Sequence, residues 1–164
     1  MNAVIEVKNL RKNYGALSVV KGLSLTINKG EIFAILGPNG AGKTTTVEIL
    51  EGFRSADSGE ISVLGTDPSI KGGAGLEWRN RIGIVLQSTQ DTAELTVREA
   101  IEHFASYYSN PREVDDVIEL VGLVEKADDR ARTLSGGQRR RLDVGLGIIG
   151  RPEVLFLDEP TTGF

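Results

Sequence analysis

Gly37-Pro38-Asn39-Gly40-Ala41-Gly42-Lys43-Thr44 is the stretch on which the fold turns. It fits the pattern G-x-x-x-x-G-K-[ST], and its flanks agree with that reading. The continuous apolar run Ile32–Leu36 before it suits a buried strand, and Lys43 to about Leu50 after it suits a helix. Strand, glycine loop and helix in that order make a phosphate cradle. The glycines let successive backbone N–H groups converge on phosphate oxygens, and the helix N-terminus adds the positive end of its dipole. Lys43 is then placed to reach the β- and γ-phosphates, and the Thr44 hydroxyl to ligate Mg2+.

Working outward, the N-terminal side reads as strands at Val4–Val7 and Leu23–Ile27, with a turn at Asn28-Lys29-Gly30. On the C-terminal side, Asp57-Ser58-Gly59 turns into a strand at Ile61–Leu64. The glycine-rich segment Gly65–Leu76 reads as loop, and Ile82–Leu86 as a strand ending at Gln87. The texture then becomes helical. Thr96-Val97-Arg98-Glu99 is a capping box that opens a helix through about Ser109, where Asn110-Pro111 breaks it. A second helix runs from about Arg112 to Val121 before Gly122, and a third over about Gly136–Ile149, closed by Gly150. Val154–Leu157 is one more buried strand. Strands, a helical insert and a return to a strand predict an α/β core with a helical subdomain over about residues 88–150.

Two further motifs carry chemistry. The strand at Val154–Leu157 delivers Asp158 and Glu159 at its C-terminal end, the edge where ligands bind in open α/β sheets. Asp158 can hold Mg2+ and Glu159 can polarise an attacking water. Leu134-Ser135-Gly136-Gly137-Gln138 contains a second capping box, S-x-x-Q. A cap has no need of two glycines in the first turn, where each costs up to about 1 kcal/mol relative to Ala. Bare backbone at that point suits an anion approaching the helix N-terminus.

Taken together, these motifs resemble the nucleotide-binding domain of the ATP-binding cassette transporter family, over the whole chain: the phosphate loop at 37–44, Gln87 after a strand, LSGGQ at 134–138 and LFLDE at 155–159. The resemblance implies a P-loop NTPase (RecA-like) core with an N-terminal antiparallel β subdomain and a helical signature subdomain. It implies ATP and Mg2+ as ligands, held by Gly37, Pro38, Asn39, Gly40, Ala41, Gly42, Lys43, Thr44 and Thr45, with Thr44, Gln87 and Asp158 at the metal. Glu159, Lys43 and Gln87 take the catalytic positions, and Tyr14 matches the aromatic residue that stacks on adenine. Ser135, Gly136, Gly137 and Gln138 match the signature that meets ATP on an opposing subunit, so a head-to-tail dimer and a membrane permease are the implied partners. His103, the single histidine, precedes Glu159 and so does not match the family's switch histidine; it reads as a helix-surface residue.

Composition narrows the alternatives. With 19 Lys+Arg against 23 Asp+Glu the chain carries −4, which disfavours a general grip on nucleic acid. The absence of cysteine excludes disulfide scaffolds and thiolate zinc sites. Its longest stretch without a charged side chain, Ile32–Gly42, is too short and too glycine-rich to span a bilayer, which takes ~20 residues. The N-terminus has no signal-peptide pattern, so the implied location is cytoplasmic, peripheral on the inner membrane face through the permease. Family members continue past the Asp-Glu pair, so the chain is expected to be a cassette lacking the C-terminal part of its core, with the gap exposing ladder groups and apolar surface. Residues 50–65 resemble bacterial drug- and antibiotic-export cassettes. The other readings are a non-catalytic cassette fragment and a soluble cassette ATPase acting on DNA or ribosomes.

Overall fold

The computed structural model describes residues 2–85 and 92–157. The chain divides into two units, 1–78 and 79–164. In the first, strands β1 (Ala3–Tyr14) and β2 (Leu17–Asn28) form a long antiparallel hairpin, and β3 (Ser58–Val63) adds to the other side of β1, giving the order β2-β1-β3. Alternation dictates the buried face: Ile5 and Val7 are buried, Glu6 and Lys8 exposed. Leu10 would fall out of phase, but the ladder is irregular between Val7 and Leu10, with Asn9 at φ 52°. That bulge turns Leu10 back into the core, where it is fully buried. Gly59 closes on this point, since a Cβ there would lie 2.7 Å from the Leu10 Cα.

Helix α1 (Lys43–Leu50) matches the expected span, and Gly37–Gly42 is the expected loop. Two expectations fail. The run Ile32–Leu36 is not a strand: it belongs to neither sheet of the described residues, and Ile32 and Leu36 are 103% and 90% exposed. Apolar character marks a segment fit for burial, but a strand forms only where a neighbour takes up its N–H and C=O groups. Conversely, part of the expected loop Gly65–Leu76 lies in helix α2 (Gly72–Arg79). Its glycines are poor helix formers, and tertiary anchoring overrides them. Trp78, only 2% exposed, donates its indole N–H to the Val63 carbonyl at 3.0 Å.

In the second unit, β4 (Ile82–Val85) and β5 (Val154–Leu157) pair in parallel, Ile82 against Val154 through Val85 against Leu157. Helices α3 (Val97–Ala105), α4 (Val114–Leu120) and α5 (Gly136–Ile148) surround a core that includes Val97, Ile101, Val117, Leu142 and Ile149. α3 starts on the expected capping box, with Thr96 Oγ1 accepting from the Glu99 N–H at 3.1 Å and the Glu99 carboxylate accepting from the Thr96 N–H at 2.8 Å. His103 lies exposed on α3, as its sequence position suggested. α5 approaches β4 closely through glycine: a Cβ on Gly83 would lie 2.2 Å from the Gly147 carbonyl oxygen.

Candidate nucleotide site

The phosphate loop is built on the hairpin. Gly40 and Gly42 hold φ of 81° and 82°, the left-handed region that lets the chain turn its N–H groups inward. Gly42 sits against β2 so tightly that a Cβ would lie 2.7 Å from the Val19 carbonyl oxygen and 3.2 Å from Val20. Across the ladder, Val20 pairs with Lys12, two residues from Tyr14. The loop and Tyr14 therefore share one hairpin as their foundation.

Lys43 folds back under the loop, its ammonium donating to the carbonyls of Gly37 at 2.7 Å and Pro38 at 2.9 Å. The first turn of α1 has neither an acidic residue nor a side-chain cap on Gly42. Its leading N–H groups and its dipole are thus left to an external anion. Thr44 is exposed and Thr45 half-buried, whereas Thr46 turns inward and donates its hydroxyl to the Gly42 carbonyl at 2.8 Å. Pro38, Asn39 and Ala41 are exposed along the loop, which is braced by the Ala41 N–H donating to the Pro38 carbonyl at 3.2 Å. A cation beside uncapped helical N–H groups fits a polyphosphate, and the Thr44 hydroxyl at the same turn is a suitable oxygen donor for Mg2+.

Tyr14, the last residue of β1, is 41% exposed. Two cations lie over its ring, Lys12 Nζ and Arg54 Cζ, each 5.7 Å from the centroid. Each is tied to a carboxylate. Lys12 pairs with Asp57 at 2.8 Å, and Arg54 pairs with Glu48 of α1. The Lys12 hydrogen bond, then the Asn13 N–H, hold the Asp57 carboxyl below the usual Asp value. Sequence reasoning found Tyr14 but missed Arg54 and Asp57. Their only signal was the charge of residues that follow a helix and precede a strand.

In the second unit the signature opens α5. Ser135 Oγ accepts from the Gln138 N–H at 3.3 Å, and Gln138 Oε1 accepts from the Ser135 N–H at 2.9 Å. Gly136 and Gly137 are exposed, and a Cβ on either would meet nothing within 4 Å. Internal packing therefore does not account for these glycines. Gln87, Asp158 and Glu159 lie outside the described residues. The strands leading to them end side by side, with Val85 paired to Leu157.

A family model described as ABC transporter matches residues 20–162. The linearmycin resistance ATP-binding protein of Bacillus subtilis (strain 168) is 38% identical over 98% of this chain and 52% of its own length. The Nod factor export ATP-binding protein I of Ralstonia nicotianae is 41% identical over 98% of this chain and 50% of its own. The chain thus spans about half the length of the curated relatives it matches. Among solved structures, an ATP-binding cassette of an ABC transporter in its ADP conformation superposes with a TM-score of 0.84 at 28% identity, over 100% of this chain and 71% of the other. A nucleotide-free cassette gives 0.81 at 28% identity, over 98% and 70%.

Proposed function

Because the chain belongs to the ABC transporter family, we propose that it binds Mg-ATP at Gly37–Thr45 and, as part of a complete cassette, hydrolyses ATP to drive a partner membrane permease. The observation that carries this reading is Lys43, held by the Gly37 and Pro38 carbonyls beside the uncapped start of α1. On binding, the ammonium exchanges those carbonyls for β- and γ-phosphate oxygens, while loop N–H groups orient the chain of phosphates. Tyr14 stacks on the adenine. The Thr44 hydroxyl, Gln87 and Asp158 would hold Mg2+, which would supply neutralisation of phosphate charge. Glu159 orients and polarises the attacking water.

Ser135, Gly136, Gly137 and Gln138 act on the nucleotide of a second nucleotide-binding domain in a head-to-tail dimer. The reciprocal cap between Ser135 and Gln138 and the open backbone at both glycines support that role. Among the described residues no helix is long and apolar enough to cross a membrane. In this reading the transport path belongs to the permease, and the cassette docks on its cytoplasmic side. The names of the relatives, one for linearmycin resistance and one for Nod factor export, support export as the direction.

Titration calorimetry with Mg-ATP tests the binding step. Lys43→Ala is expected to weaken affinity more than tenfold, the scale of a lost charged hydrogen-bond donor. Equal binding by wild type and variant would overturn the assignment.

A further inference from the structure

The short segment after α1 carries a residue that no part of the reading above employs. Gly52, at φ 79°, ends the helix in the left-handed region, and the Phe53 and Arg54 N–H groups both donate to the Glu48 carbonyl, at 2.9 and 3.1 Å. This reversal lays Arg54 back along α1, where its guanidinium meets the Glu48 carboxylate through Nε and Nη2. The same guanidinium stands over the Tyr14 ring, 5.7 Å from its centroid. Gly52 is required for the turn, since a Cβ there would lie 2.6 Å from the Pro68 carbonyl oxygen. A planar cation pinned on one side by a carboxylate and set over an aromatic ring restrains that ring. The ring sits at the end of β1, beside a two-residue turn, and is 41% exposed.

We propose that Arg54, anchored by Glu48, is a positioning residue for nucleotide-base binding: it holds the Tyr14 ring in the orientation that stacks on the base. The inference rests on the assignment of Tyr14 to the base, and it adds a link from the helix that starts at the phosphate loop to the aromatic that meets the other end of the nucleotide. Lys12, tied to Asp57, gives the ring a second restraint, so loss of Arg54 weakens stacking without abolishing it.

The test compares ATP with inorganic tripolyphosphate, which has no base, at one magnesium concentration on the 164-residue chain. Arg54→Ala is expected to weaken ATP binding about two- to fivefold and to leave tripolyphosphate binding unchanged. Glu48→Gln, which keeps the guanidinium but loosens its anchor, is expected to shift the same ratio in the same direction by less. Once Tyr14 is replaced by Ala, adding Arg54→Ala should change ATP affinity no further, because the two residues act as one unit. Equal weakening of ATP and tripolyphosphate by Arg54→Ala, or full additivity with Tyr14→Ala, would overturn the proposal. Lys43→Ala serves as the separate control, since it should weaken both ligands. If it weakens neither, the phosphate-loop assignment fails; if Tyr14→Ala leaves the ATP-to-tripolyphosphate ratio intact, the base assignment fails and this inference with it.

Discussion

At the residue scale, Gly137 separates a structural demand from a functional one. It lies in the first turn of α5, exposed, with open space where a Cβ would go. Gly137→Ala should therefore raise stability, by up to about 1 kcal/mol, because alanine loses less backbone entropy in a helix. The proposed role predicts the opposite sign for function, with ATP-dependent dimerisation of a complete cassette impaired as the methyl enters the space a phosphate would approach. Thermal melts and size-exclusion chromatography with ATP read the two effects separately. A variant that is stabilised and still dimerises normally would remove Gly137 from the interface. The glycines and Lys43 were legible because their chemistry follows from type and spacing. Arg54 was not, because its meaning lies in a ring forty residues earlier in the chain.

At the element scale, the first sheet is held at its hairpin end by Asp57. Its carboxylate accepts from Lys12 at 2.8 Å and from the Asn13 N–H at 2.7 Å, and its own N–H donates to the Arg11 carbonyl at 3.0 Å. These bonds join the end of β1 to the residue just before β3. They favour the ionised carboxylate and hold its pKa below the ordinary 3.8. The sign follows from linkage: the stabilisation is fully present above the unfolded value and disappears as pH falls through the lower folded one. Melting temperatures of wild type and Asp57→Asn should therefore differ at about pH 6 and draw together as pH falls below 3.8. The gap should also narrow with salt, since the pair is partly exposed. A gap that persists unchanged below pH 3.8 would show that the carboxylate charge is not what joins these strands. Element types in the second unit were largely legible because capping boxes at Thr96 and Ser135 are local. α2 was not legible, since glycine content argues for loop and only the burial of Trp78 argues otherwise.

At the scale of the whole molecule, the segment 31–36 governs what the 164-residue chain can do by itself. It leads directly into the phosphate loop, yet no described strand pairs with it, and Ile32, Phe33 and Leu36 are exposed. Phosphoryl transfer depends on placement, and small displacements of a catalytic group can cost ~100-fold. Steady-state phosphate release from this chain is therefore expected to fall about 100-fold or more below that of a relative of full cassette length. Comparable turnover would show that the loop needs no strand neighbour to hold it in register.

The sequence by itself determined the features whose physics is local: the Gly37–Thr44 loop and its helix, both capping boxes, the apolar strand ahead of Asp158-Glu159, and through them the family. Each depends on a residue and neighbours a few positions away. The tertiary structure decided what depends on distant partners. It withheld a strand from Ile32–Leu36, because backbone polar groups need a neighbour to bond. It made a helix of glycine-rich residues, because an indole buried against β3 outweighs their low propensity. And it set Arg54 over Tyr14, because a glycine-ended helix turns the chain back onto its own carboxylate.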